Sequence, residues 1–245
     1  MTDASIQPGL TRGADGSTIR TRRKALDLRR RTVFDELMAL TDRPTAFLAR
    51  QLGKPSGAVG RIVGRILNRR NEDVVLAAVD AAGAGADSTV VDIGFGGGVG
   101  LRALLAVSDH VHGVEVSTTM IDAARTAFAD SIEYGRLTLH EAPMDALPFD
   151  DAAVDAIVST NTIYFIDDLD AAFRETARVL RTGGRFAVGI GDPERMAAMA
   201  VTSHGFRLRQ PDGVADSLRD AGFTSVDHRT LGTGQHGWHL VVGIR

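Results

Sequence analysis

The stretch that most constrains this chain is Val90-Val91-Asp92-Ile93-Gly94-Phe95-Gly96-Gly97-Gly98-Val99-Gly100. A β-branched apolar run carries an aspartate near its end. A glycine-dense turn follows, then the apolar start of a helix, Leu101 to Val107. Strand, tight loop and helix N-terminus in that order form the unit that holds a nucleoside-type cofactor. A second acid, Glu115, closes the next strand-like run, Val111 to Glu115. A carboxylate at that place can accept hydrogen bonds from a ribose.

After Thr89 the pattern alternates. It predicts strands at 89–93, 111–115, 137–141, 155–160 and 184–190, and helices at 99–107, 118–130 and 169–180. Ser117 is a plausible N-cap for the second helix. Thr182-Gly183-Gly184 is expected to end the third. Such alternation argues for a parallel sheet with helices on both faces. Thr224 to Leu231 and Trp238 to Ile244, with Gly232 and Gly234 between them, read as two strands joined by a short turn, an antiparallel edge on the sheet.

Upstream, residues 1–20 are polar and Gly-containing and are expected to be a disordered tail. Helical spacing appears over 21–40, 45–52, 59–67 and 71–82. Residues 1–70 hold 15 Lys/Arg against 6 Asp/Glu (net +9), and residues 71–245 hold 13 against 25 (net −12). Two readings follow: a solvated basic face docked on an acidic body, or a surface for an anionic substrate, a lipid headgroup or nucleic acid. The expected division is a tail over 1–20, a basic helical cap over 21–70 and the main domain over 71–245. No apolar run reaches membrane-spanning length, and residues 1–20 lack the apolar core of a secretory signal. The 245 residues include no Cys. That excludes disulfides, thiolate metal sites and a cysteine nucleophile, and it fits a cytoplasmic protein. His110-x-His112 shares a strand face but has no third ligand nearby in sequence, so no metal site is expected.

Gly94-x-Gly96-x-x-x-Gly100 alone also fits loose nicotinamide fingerprints. Further motifs follow it: Gly113-Val114-Glu115-Val116-Ser117 with Met120, then Leu147-Pro148-Phe149, then Ser159-Thr160-Asn161-Thr162-Ile163-Tyr164-Phe165. Glu175-x-x-Arg178-Val179-Leu180-Arg181-x-Gly183-Gly184 and Leu218-Arg219-Asp220-Ala221-Gly222-Phe223 complete the series. In this order over residues 70–245, the chain resembles the class I S-adenosylmethionine-dependent methyltransferases. The likeness is greatest to the type-11 group, which includes ubiquinone/menaquinone-biosynthesis-type enzymes. The resemblance implies a Rossmann-like, doubly wound, mostly parallel seven-stranded sheet with an antiparallel C-terminal pair, here behind an N-terminal helical cap.

The resemblance also implies a cofactor, S-adenosylmethionine, and its contacts. Gly94, Phe95 and Gly96 would lie along its methionyl part, with Asp92 supporting the loop. Glu115 would take the two ribose hydroxyls. Val116 and Met120 would pack on adenine, and Met144 and Asp145 would meet the adenine edge. Thr160 and Asn161 would face the crevice where the methyl moves. Pro143 departs from the pattern, because a small polar or acidic residue usually stands there and proline has no N–H to donate. That leaves the adenine edge to Met144, Asp145 or Glu141. Tyr164 and His204 are candidate catalytic groups because the family places substrate near those segments. Residues 192–213 correspond to inserts that form part of the substrate pocket in this family.

The implied chemistry is in-line displacement at the sulfonium methyl, with the protein aligning a nucleophile and excluding water. The expected acceptor is a small molecule, with anionic and amphipathic ones both open. The alternative is a non-catalytic S-adenosylmethionine-sensing or DNA-binding regulator that uses the basic N-terminal helices. Residues 45–62 have some helix-turn-helix offsets, but Pro55 and two glycines fall where a recognition helix should run. Nucleic acid is therefore not the expected partner.

Overall fold

A computed structural model describes residues 71–232 and 237–245. The tail over 1–20, the basic helical segment over 21–70 and the tip of the last hairpin (233–236) lie outside the described residues.

A helix, α1 (residues 71–82), precedes the glycine unit. The elements then run β1 (Thr89–Ile93), α2 (Val99–Leu105), β2 (His110–Glu115), α3 (Thr118–Ala127), α4 (Ala129–Glu133), β3 (Leu137–Glu141) and β4 (Val154–Thr160). They continue through α5 (Leu169–Val179), β5 (Leu180–Gly191), α6 (Pro193–Ala197), α7 (Pro211–Asp220), β6 (Ser225–Leu231) and β7 (Trp238–Ile244). The strands form one seven-stranded sheet in the order β3-β2-β1-β4-β5-β7-β6. β1 to β5 pair in parallel, and β7 pairs antiparallel with both β5 and β6. The doubly wound fold with its antiparallel C-terminal pair is thus as the sequence pattern predicts. The chain leaves β1 toward β2 and β3, then crosses back to β4 on the other side. The carboxyl ends of β1 and β4 therefore flank a topological switch point, where open α/β sheets bind ligands.

Strand alternation divides the core. Val91 and Ile93 face one side with Phe173 of α5 and Leu218 of α7. Val90 faces the other with Ala78 of α1 and with Leu101 and Leu104 of α2. Strands buried on both faces are what helices on both sides of a parallel sheet require.

Two predicted elements differ. The helix expected over 118–130 breaks at Phe128 (φ −122°, ψ 27°) into α3 and α4. Phe128 is buried, and its ring occupies the space that a Cβ on Gly98 would need. The helix yields so that an aromatic side chain can support the glycine loop. The third helix ends on extended Leu180, not on Thr182-Gly183-Gly184. Leu180 is fully buried and already pairs with Val154, whereas the next pair is Ala156 with Arg185. The glycine pair forms an irregularity inside β5, with Gly183 at φ +79° and its N–H donating to Arg245 O. Burial of Leu180 outweighs the stop signal two residues later.

No helix among the described residues is long and apolar enough to cross a membrane. None of their His, Asp and Glu residues form a group of three or more suited to a metal ion.

Candidate active site

The glycine loop is shaped by what presses on it. Gly94 has φ +72°, and a Cβ there would collide with the Thr162 side chain. Its N–H donates to Val114 O at 2.7 Å, which ties the loop to the end of β2. Thr162 Oγ1 and Ser159 Oγ both donate to Ile93 O, at 3.3 and 3.0 Å, which ties the end of β4 to the end of β1. A Cβ on Gly100 would strike Asp92 Oδ2. Only a residue without a side chain lets the start of α2 settle over that carboxylate. Gly96 differs: among the described residues the nearest atom to its Cβ position is Gly94 O at 3.9 Å, so none of them crowds it.

Two buried carboxylates flank this loop. Asp92, 4% exposed, accepts a hydrogen bond from Leu101 N–H in the first turn of α2. Burial, and then the neighbouring Glu115 charge, push its pKa up to about 7, and the Leu101 bond opposes them. Glu115, 6% exposed, accepts from Gly96 N–H (3.1 Å), Val116 N–H (2.9 Å) and Ser117 N–H (3.1 Å). Burial raises its pKa, and those three N–H groups hold it down in part. A carboxylate offers about four acceptor positions. Three are in use, so Glu115 already spans from the glycine loop to the start of α3.

Beyond Glu115, Val116 is 38% exposed, whereas Met120 is buried and its N–H donates to the Ser117 hydroxyl. Met144 is buried on the other face of the same strand ends, and Asp145 is exposed. Glu141 is exposed and accepts from the Thr118 hydroxyl at 3.1 Å. Thr160 and Asn161 are half-buried at the end of β4, with Asn161 at φ +58°. The expected cofactor residues therefore lie at the carboxyl ends of β1, β2 and β4 and in the segments that follow β1, β2, β3 and β4.

Residues 91–188 match the family model described as a methyltransferase domain. An uncharacterized methyltransferase of Bacillus subtilis, YcgJ, is 32% identical over 136 residues, 54% of this chain and 52% of that protein. Over residues 91–188, then, this chain is similar to methyltransferases. The chain spans about half the length of the curated relatives it matches. Two solved structures share the fold. One is a Haloferax volcanii methyltransferase solved with the Trm112 methyltransferase activator (TM-score 0.65, 23% identity, 74% of this chain and 92% of that one). The other is the geranyl diphosphate C-methyltransferase of Streptomyces coelicolor A3(2), solved with Mg2+, geranyl diphosphate and S-adenosyl-L-homocysteine. Its TM-score is 0.61 at 20% identity, over 80% of this chain and 86% of that one.

The two candidate catalytic side chains, Tyr164 and His204, sit in different surroundings. Tyr164 is 2% exposed, in the aromatic cluster with Phe165 and Phe206. Its hydroxyl accepts from Gly191 N–H at 2.6 Å and lies 3.4 Å from Asn161 Oδ1, to which it donates. Burial raises its pKa well above that of an ordinary phenol. His204 is exposed, with Nδ1 2.8 Å from the Ser203 hydroxyl. Asn161 Nδ2 is buried and has no partner among the described residues. An unpaired buried amide costs about 1–3 kcal/mol. This donor and the uncrowded Gly96 are what a polar ligand across the strand ends would complete, so the described residues fit S-adenosylmethionine, the cofactor that the resemblance implies.

Sequence reasoning missed a cluster at the end of β5. His239 Nε2 lies 3.4 Å from Asp192 Oδ2, and His239 Nδ1 lies 2.9 Å from His228 Nε2. Asp192 also caps α6 by accepting from Arg195 N–H. Asp192 and His239 are 47 residues apart. The only signal that could join them is the β5–β7 register, which sets Gly191 opposite Trp238.

Proposed function

We propose that this chain binds S-adenosylmethionine across the carboxyl ends of β1, β2 and β4 and transfers its methyl group to a small-molecule acceptor. The observation that carries the reading is Glu115. A buried carboxylate stands at the end of the strand beside the glycine loop and is bonded to Gly96 N–H in that loop. Bound there, the cofactor supplies an electrophilic sulfonium methyl. The chain's own work is to bind, orient and exclude water.

Glu115 would hold the ribose. Its one free acceptor position takes one hydroxyl, and the second hydroxyl requires one backbone N–H to be released. The exposed Val116 and buried Met120 would offer an apolar floor to the adenine. Asp92 would keep the start of α2 seated, which fixes where the loop's N–H groups point. Tyr164 does not serve as a base near neutral pH, because its proton is committed to Asn161 and its pKa is raised. We assign it to holding Asn161. The sulfonium is already activated, so an acceptor that ionises in water needs no protein base.

Calorimetric titration with S-adenosylmethionine and S-adenosylhomocysteine tests this. Both should bind, and Glu115→Ala should weaken each by at least about tenfold, the loss of a charge-assisted hydrogen bond. Absence of binding by either compound would sink the reading.

A further inference from the structure

Asn161 is fixed more firmly than a crevice residue needs to be. It takes a left-handed backbone conformation, φ +58°, which asparagine tolerates better than most residues. Its N–H donates to Gly189 O at 2.9 Å, so it is pinned between the carboxyl ends of β4 and β5. Tyr164 fixes the amide. The Tyr164 oxygen already accepts from Gly191 N–H, so its proton goes to Asn161 Oδ1. With the carbonyl end held, the amino end is the one left over. Nδ2 is buried and has no partner among the described residues. The reverse orientation would leave both the Tyr164 proton and Oδ1 unmatched.

We propose that Asn161 Nδ2 is a ligand-recognition donor that hydrogen-bonds an oxygen of the molecule bound at this edge, with Tyr164 as its positioning residue. The proposal rests on the methyltransferase reading above. Two sources carry the same chemistry: the carboxylate of the cofactor's methionine part, and an oxygen on the methyl acceptor. An amine nucleophile suits this donor poorly, because its single lone pair must face the methyl. An oxygen keeps a second lone pair for the amide.

The test follows the Asn161 side-chain 1H–15N signals by NMR in the full chain, assigned by their loss in Asn161→Asp. That variant keeps the shape and the left-handed backbone but removes the donor. The probes are S-adenosylhomocysteine and 5′-methylthioadenosine, which lacks the carboxylate. Sodium benzoate and aniline are then added to protein saturated with S-adenosylhomocysteine. If the cofactor carboxylate is the partner, the signals move with S-adenosylhomocysteine and not with 5′-methylthioadenosine. Asn161→Asp then loses at least about tenfold in affinity for the first ligand alone. If the acceptor is the partner, the signals move with benzoate and not with aniline. In either arm Tyr164→Phe, which keeps the ring and drops the hydroxyl, shrinks the shift, an effect that loss of packing alone would not produce. Signals unmoved by every probe, or moved equally by 5′-methylthioadenosine or aniline, overturn the proposal. A wild-type chain that binds no S-adenosylhomocysteine overturns the methyltransferase reading instead.

Discussion

Asp92 and Glu115 are two acids buried beside one loop, and their environments set them different tasks. Asp92 has one backbone donor and full burial, so its neutral form is favoured up to about pH 7. Glu115 has three N–H donors and is better able to stay ionised, which suits the ribose contact proposed for it. The linkage sign follows from the raised Asp92 pKa. The folded chain holds a proton on Asp92 that the unfolded chain releases near pH 4. This contribution to stability is therefore fully present below about pH 4 and is lost as pH rises to about 7. The loss is on the order of 4 kcal/mol across that window. Denaturant unfolding of the wild type should thus weaken over that range, and Asp92→Asn should flatten the dependence. Equal slopes in the two proteins would show that Asp92 does not titrate between folded and unfolded states.

The segment Leu147–Asp151, which follows Met144 and Asp145, has no regular structure of its own and is held by α5. Glu175 accepts from Leu147 N–H at 2.8 Å, and Arg178 donates to Phe149 O and to the carboxylates of Glu175 and Asp151. Arg178→Ala should release this clamp. We expect a loss of about 1–3 kcal/mol in unfolding free energy and a weaker affinity for S-adenosylhomocysteine. Full stability together with full affinity in that variant would show that the segment is held by Leu147 and Phe149 packing alone.

Much of this level was legible in the sequence. The glycine run and the acid on each side of it marked β1 and β2, because local spacing alone sets them. Thr89–Ile93 and Leu137–Glu141 have the predicted bounds. Where side chains answer to distant neighbours, spacing failed. Phe128 breaks its helix to reach Gly98, Leu180 is drawn into the core before the glycine pair, and His239 meets Asp192 only through strand pairing.

Across the molecule, the sheet order gathers the site. The glycine loop, Glu115 and Asn161 come from three parallel strands whose carboxyl ends share one edge, on either side of the β1–β4 switch point. The antiparallel β7 brings Trp238 and His239 to the end of β5 beside them. A ligand that binds only the folded arrangement stabilises it, by about 2.7 kcal/mol at one hundred times its dissociation constant. S-adenosylhomocysteine should therefore raise the unfolding midpoint of the wild type and raise that of Glu115→Ala by about half as much or less, since a tenfold weaker affinity leaves about 1.4 kcal/mol at the same ligand concentration. A matching rise in the variant would place the ligand away from Glu115. The central claim is most directly tested by a crystal structure of the full chain with S-adenosylhomocysteine. The account predicts the ligand across the ends of β1, β2 and β4, with both ribose hydroxyls within hydrogen-bond distance of Glu115 and the thioether beside the glycine loop. A ligand bound elsewhere, or a ribose with no contact to Glu115, would contradict it.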